Sequence, residues 1–261
     1  MENILDLERF PLDNPGTRDW ESLVERCRKD LAEHGMFNLE GLLLPEAVTR
    51  ILNEIMPVMD RSSFTHRRSH NIYFKNEVSG LAPDHPALRL FKTENDTICA
   101  DQISRSALVQ LYRWPHLRSF LAATMEKPAL HVMDDDLACL NVMRYKEGST
   151  LNWHFDRSEF TTSLLLQAPI EGGLFQYRTN LRSDNDPNYD GVARLLAGKD
   201  PEVEELAVQP GTLNVFRGKN TAHRVTPVSG PKDRVIAVFS YYEMPGVRFS
   251  EEERLGFYGR A

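Results

Sequence analysis

Apolar residues recur at helical spacing over the first third of the chain and alternate with polar ones over much of the second half. Trp20, Leu23, Val24, Cys27 and Leu31 share one helical face. Thr17 stands where an N-cap belongs and Gly35 where a helix stops, so the pattern predicts a helix over 18–34. Residues 36–39 form a short apolar strand candidate. Pro45 suits the first turn of a second helix, reaching about Met56. Residues 61–102 are mixed and polar and carry a basic cluster of Arg61, His66, Arg67, Arg68 and His70. Two more helices are predicted over 105–113 and 115–125, the second opened by Pro115.

From about Ala129 the period changes from helical to alternating. Strands are predicted over 138–145, 151–155, 160–167, 174–177, 213–216, 223–228 and 234–242. Turn signals separate them: Lys146-Glu-Gly148, Pro169-Ile-Glu-Gly-Gly173, Pro210-Gly211 and Ser229-Gly-Pro231. Helices followed by a run of short strands read as one α+β unit, in which helices buttress a β-barrel core. The expected single domain spans 1–261. Residues 1–128 are its mainly helical support and substrate side, 129–245 the barrel core and 246–261 a C-terminal tail. The polar stretch 178–191 lies between two barrel strands and reads as a lid, followed by a short helix over 191–197. Asp186-x-Asn188-x-Asp190-Gly191 resembles the start of a calcium loop, but the twelfth position is Ala197 where a bidentate Glu is required, which excludes calcium.

Composition narrows the class. Net charge is -7, so the chain as a whole lacks the basic footprint of a nucleic-acid binder. Its apolar runs are far shorter than the roughly 20 residues of a membrane-spanning helix. The first residues show no signal-peptide layout, and three scattered cysteines make neither a disulfide framework nor a zinc pair. A reducing, cytoplasmic setting is expected. Oligomeric state is not legible, and a homodimer is compatible with the sequence.

The chemistry centres on His154-Phe-Asp156. Residues i and i+2 of a strand point to one face, so an imidazole and a carboxylate are presented together. A second histidine from a distant strand would complete the two-histidine, one-carboxylate set that holds ferrous iron with open positions. With eight histidines and 38 acids, about one His-x-Asp/Glu arises by chance, so context must carry the assignment. Arg144-Tyr145-x-x-Gly148 comes just before. The distal candidate is His223, in Thr221-Ala-His-Arg-Val-Thr-Pro-Val228. Pro210-Gly-Thr-Leu-Asn-Val-Phe-Arg-Gly218 precedes it, and Arg234 follows eleven residues later.

Over about 138–242 this arrangement resembles the ferrous-iron and 2-oxoglutarate-dependent oxygenases. Arg-Tyr-x-x-Gly, His-x-Asp, Gly172-Gly173, the strand ending at Phe216 and His223-Arg-Val-Thr-Pro-Val are similar to prolyl 4-hydroxylases and their bacterial relatives. Within that superfamily, His70-Asn-Ile-Tyr73, Asn141-Val-Met-Arg-Tyr145, Asn152-Trp-His-Phe-Asp156 and Phe257-Tyr-Gly-Arg260 resemble the stand-alone enzymes of free amino acids. These are the radical halogenases of lysine-like substrates and the hydroxylases related to them. The resemblance implies a double-stranded β-helix, a jelly-roll or cupin-like barrel. It implies Fe(II), with 2-oxoglutarate and O2 as cosubstrates. His154, Asp156 and His223 would hold the metal, and Arg234 and Tyr145 the distal carboxylate of 2-oxoglutarate. In the related halogenases the carboxylate position is a small residue that leaves room for chloride. Asp156 fills it here, which implies hydroxylation with release of succinate and CO2.

A free amino acid needs a cation for its carboxylate and acceptors for its ammonium group. Arg67, Arg68 and His70 are candidates for the first, with one of the two arginines facing inward. Asp134, Asp135 and Asp136 are candidates for the second, and would also suit a lysine-like side chain. Tyr73, Asn152 and Arg157 are further pocket candidates. Two other readings stand beside this one: a prolyl-type hydroxylase of protein residues, and a catalytically silent barrel that binds a small acid as a sensor.

Overall fold

The computed structural model describes residues 1–75, 78 and 80–261. Part of the stretch read as mixed and polar, at 76, 77 and 79, therefore lies outside the described residues. The helices are α1 (Arg18–His34), α2 (Pro45–Ser62), α3 (Ala107–Arg113), α4 (Pro115–Thr124), α5 (Tyr189–Leu196) and α6 (Glu251–Tyr258). The strands of the first half are β1 (Met36–Leu39), β2 (Phe64–His70), β3 (Phe91–Cys99) and β4 (His131–Val132). They continue with β5 (Leu140–Tyr145), β6 (Leu151–His154), β7 (Thr161–Gln167), β8 (Glu171–Gly172), β9 (Phe175–Arg178) and β10 (Glu204–Leu206). The last are β11 (Leu213–Phe216), β12 (Ala222–Val225), β13 (Val228–Ser229), β14 (Arg234–Phe239) and β15 (Tyr241–Tyr242).

Seven strands form a major antiparallel sheet in the order β1-β11-β7-β14-β5-β3-β2. Four form a minor sheet, β10-β9-β12-β6. Side chains from both sheets line one cavity of about 340 Å³. This is the expected jelly roll, two sheets enclosing a space between their inner faces.

Strand alternation divides the major sheet into two chemistries. Leu140 and Val142, Leu164 and Leu166, Leu213 and Val215, and Val235, Ala237 and Phe239 point outward. They pack in one apolar core with Leu23, Leu31, Ile51, Ile55, Leu117 and Phe120 of the helices. The alternate residues, Asn141, Met143 and Tyr145, Ser163 and Leu165, Asn214, and Arg234 and Ile236, line the cavity. The apolar face anchors the sheet, so the inner face is free to carry polar groups.

Helix α1 follows the predicted bounds. Thr17 caps it and Gly35 ends it in the left-handed conformation. Helix α2 corrects the expected stop near Met56, running through Pro57 to Ser62. The buried row Ile51, Ile55, Met59 continues past the proline, and its packing offsets the lost backbone hydrogen bond. Two strands, β2 and β3, lie within the stretch read as mixed and polar. The first part of the chain thus supplies three strands of the major sheet as well as helices. The C-terminal tail carries α6. Stretch 178–191 does not cover the cavity, which no residue from 178 to 196 lines. Leu181, Val192 and Leu195 pack against Trp153 and Phe155 and so brace β6 from outside. Among the described residues no helix is long and apolar enough to cross a membrane.

Ile51 is fully buried between α2 and the sheet. Ile51→Ala is expected to cost about 2–5 kcal/mol of unfolding free energy. Urea titration would measure this, and a loss well below that range would place the residue outside the shared core.

Candidate active site

β6 and β12 pair antiparallel with His154 directly opposite His223. Both residues are buried, and their ring centroids lie 4.1 Å apart. Nδ1 of His154 is 2.8 Å from the backbone oxygen of Asn152, and Nδ1 of His223 is 3.0 Å from that of Thr221. A carbonyl oxygen only accepts, so each Nδ1 carries the proton and each Nε2 keeps its lone pair. Both Nε2 atoms face Asp156, at 3.4 Å from Oδ1 for His154 and 3.4 Å from Oδ2 for His223. Ligand atoms of the three residues lie within 4.8 Å of one another.

Strand β6 stops at His154, but the chain stays tethered beyond it. Phe155 N–H donates to Ile72 O at 3.2 Å and Asp156 N–H to Gly218 O at 3.0 Å. The Thr161 hydroxyl donates to Asp156 Oδ2 at 2.5 Å. A Cβ at position 218 would collide with both Asp156 Oδ2 and Thr161 Oγ1, so glycine leaves room for this bond. Burial works to raise the Asp156 carboxyl, but the two imidazoles and the Thr161 hydroxyl hold it well below the usual carboxylate range. Burial, then His154, pushes His223 down to about 4. Two imidazole Nε2 atoms and an ionised carboxylate converge. This donor set fits ferrous iron held on one face with other positions open.

Arg234 opens β14 directly opposite Tyr145 on β5. Its Nε donates to Gly173 O at 3.0 Å, while Nη1 is buried without a protein partner among the described residues. Gly173 adopts positive φ, and a Cβ there would crowd Arg234 Cδ. Burial lowers Arg234 to about 10, which leaves it charged at neutral pH. Among the described residues the Tyr145 hydroxyl has only the weak acceptor Met143 Sδ, at 3.7 Å. A buried cation with a free donor and an adjacent hydroxyl fits the distal carboxylate of 2-oxoglutarate.

The substrate candidates separate into two groups. Arg68, His70 and Arg157 line the cavity. Arg68 lies over the Phe74 ring at 4.8 Å. His70 stacks on Phe74 at 4.4 Å, and its Nε2 accepts from the Thr93 hydroxyl at 2.8 Å. Arg157 pairs with Glu253 at 2.5 Å.

The remaining candidates are corrected by their placement. Arg67 alternates outward to solvent and pairs with Glu94 at 2.7 Å. Asp135 is buried away from the cavity, where it accepts from the Phe249 backbone and from Arg254, each at 3.0 Å. Asp136 is exposed beside Arg113, and Asp134 pairs with Arg248 at the surface. Tyr73 packs outside, donating to Pro187 O at 2.9 Å. Asn152 donates its amide to Lys92 O at 2.6 Å and serves the strand framework.

Sequence reasoning gave no site role to Thr161, Phe249, Phe257 or Tyr258, which line the cavity, or to Gly218 beside Asp156, although Gly218, Phe257 and Tyr258 stand in the quoted motifs. Thr161 had a signal. It starts the strand after Asp156, at a position that alternates with the inward Ser163 and Leu165.

A family model described as halogenase D matches residues 19–248, and the chain belongs to that family. No curated protein matches it. Among solved structures, AviO1 from Streptomyces viridochromogenes Tue57 is 14% identical, with a TM-score of 0.57, over 87% of this chain and 97% of its own. The non-heme alpha-ketoglutarate-dependent carbocyclase SnoK from nogalamycin biosynthesis is 15% identical, with a TM-score of 0.57, over 93% and 94%. A prolyl-4-hydroxylase from Pseudomonas putida is 15% identical, with a TM-score of 0.51, over 83% and 98%. At these identities the likeness establishes the fold, that of the 2-oxoglutarate and iron(II) oxygenases.

Two outcomes are expected. Gly218→Ala should push Asp156 and Thr161 apart and weaken iron binding by about 10–100-fold, the usual cost of disturbing a ligand's support. A ferrous-ion titration reads this, and unchanged affinity would contradict it. The second concerns pH. Burial also lowers His70 to about 4. Unfolded histidines take up protons below 6.5, whereas His70 and His223 do so in the fold only near 4. Metal-free protein should therefore lose stability as pH falls from 6.5 towards 4. His223→Gln should flatten that fall in melting temperature, and an equal slope in the variant would contradict the assignment.

Proposed function

We propose that this chain is an Fe(II)- and 2-oxoglutarate-dependent hydroxylase. It acts on an unactivated C–H bond of a free amino acid and releases succinate and CO2. One observation carries the choice of hydroxylation within a family described as halogenase D: the Asp156 carboxylate facing both histidine Nε2 atoms at 3.4 Å. A small residue at that position would leave room for a halide on the metal. Here a carboxylate oxygen takes the place, held by Thr161.

Iron, when bound with 2-oxoglutarate and O2, supplies the oxidation that cleaves the cosubstrate and hydroxylates the substrate. The protein supplies geometry. His154 and His223 present fixed Nε2 lone pairs because backbone carbonyls hold their Nδ1 protons. Arg234 and Tyr145 orient the cosubstrate by its far carboxylate. Apolar residues of the cavity wall, among them Leu165, Phe175, Val225 and Ile236, limit water around it.

Arg68 and Arg157 are the cavity cations best placed to receive an amino-acid carboxylate. Among the described lining residues Asp156 is the only carboxylate, and it belongs to the metal set. This supports a polar or uncharged side chain over a lysine-like one. Asn95, Asn141 and Ser240 offer neutral acceptors for the ammonium group.

The test is succinate release by iron-loaded protein across a panel of free amino acids, with product mass read in parallel. Amino-acid-dependent succinate and a product gaining one oxygen atom are expected. Stimulation by a prolyl peptide and by no amino acid would overturn the substrate class. Asp156→Ala should cut turnover by more than the roughly 10–100-fold typical of losing a group that merely supports a metal ligand. Arg234→Met should raise the KM for 2-oxoglutarate about 10–100-fold, since a charged hydrogen bond is worth roughly 1.5–3 kcal/mol. An unchanged KM would show that the cosubstrate binds elsewhere.

A further inference from the structure

Arg144 stands beside Tyr145 in the Arg-Tyr-x-x-Gly motif, yet it lines no part of the cavity. Along β5 the outward positions are Leu140, Val142 and then Arg144. The first two join the apolar core. The third is a cation only 6% exposed.

Acids from three places in the fold surround it. Nη1 donates to Asp60 Oδ1 of α2 at 2.6 Å and Nη2 to Asp96 Oδ2 of β3 at 2.9 Å. Nε lies 3.8 Å from Asp233 Oδ2 and is buried without a hydrogen-bond partner among the described residues. Asp96 is buried as well, and takes the Thr65 hydroxyl of β2 at 2.7 Å and Lys146 Nζ at 2.8 Å. Asp233 immediately precedes Arg234, and its carbonyl accepts from the Gln167 amide of β7 at 2.8 Å.

Stability alone does not explain such a cluster. Burying an ion pair carries a desolvation cost that its attraction barely offsets, and apolar residues of similar volume often stabilise as well or better. Leu140 and Val142 show that this row of β5 can be apolar. What the cluster adds is position. Strand register sets Arg144 between Asp96 and Val235, and sets Tyr145 opposite Arg234. Charges on the outer face thus join α2, β3, β5 and the start of β14 at the strand ends that carry Tyr145 and Arg234 on the inner face. Among the described residues Arg234 Nη1 has no partner and the Tyr145 hydroxyl only a weak one, so the aim of both groups depends on their backbone.

We propose that Arg144 is a positioning residue for the cosubstrate, acting through Arg234 and Tyr145 from the opposite face of the major sheet. Its role rests on the reading that those two receive the far carboxylate of 2-oxoglutarate.

The test measures 2-oxoglutarate binding to iron-loaded protein by calorimetry without oxygen, so that turnover plays no part. Arg144→Met should weaken binding about tenfold or more, since small displacements of a positioning group carry losses of that size. Arg144→Lys keeps the charge but not the fork and should fall between, which keeps the test open should the methionine variant fold poorly. In an Arg234→Met background, Arg144→Met should cost less than about threefold further, because residues acting as one unit are not additive. Leu31→Ala, in the apolar core on α1, which contributes nothing to the cluster, should lower the melting temperature and leave binding at the wild-type level. Undiminished binding in both Arg144 variants overturns the proposal. So does an equal loss in both backgrounds, or the same loss in Leu31→Ala, which would reduce the effect to general loosening. Unchanged binding in Arg234→Met alone would instead sink the cosubstrate reading on which the role rests.

Discussion

The structure depends on the pairing of β6 with β12. That register sets His154 opposite His223 and brings two rings from residues nearly seventy positions apart to 4.1 Å. Asn152 of β6 and Thr221, just before β12, supply the carbonyl oxygens that take the Nδ1 protons. Backbone geometry thereby decides ring position and tautomer together. Asp156 is placed by different means. It lies past the end of β6 and is held by the Gly218 carbonyl, the Thr161 hydroxyl and the absence of a side chain at 218. In the proposed function its carboxylate is the group on which the choice between hydroxylation and halogenation turns.

Around this pairing the major sheet separates stability from chemistry. Its outer face joins the helices in one apolar core, which provides the burial a jelly roll of this size needs. Its inner face carries Asn, Thr, Ser, Tyr and Arg residues that would weaken an ordinary core. Arg234 shows the cost most clearly. It is a buried cation whose Nη1 has no protein partner among the described residues. Such a group is tolerable where an anionic ligand completes it. The Gly172-Gly173 turn, with both residues at positive φ, lets the chain approach the arginine closely.

What the sequence revealed followed from how plainly each residue's pattern reported its environment. The strands that pack on the helices carry an apolar residue at every second position, so β5, β7, β11 and β14 were legible, while His154, Asp156 and His223 were legible from the His-x-Asp spacing and the motifs around it. Strands β2 and β3 were not. Their inner faces carry His66, Arg68, Thr93 and Asn95, and β2 is an edge strand with an exposed outer face, so alternation lost its apolar half. The aspartates 134–136 looked like acceptors for an ammonium group because charge density alone was visible. Tertiary structure uses Asp135 to anchor the segment that closes the cavity, a contact 119 positions long to Arg254. Helix α6 gave no apolar stripe to read, because its contribution is two aromatic residues beside a left-handed glycine.

The central claim is that Asp156 occupies the metal position where a halide would otherwise bind. The most direct measurement is the product mass formed by iron-loaded protein with 2-oxoglutarate, O2, an accepted amino acid and excess chloride. A product that gains one oxygen atom and no chlorine is predicted. A product in which chlorine replaces hydrogen would contradict the account.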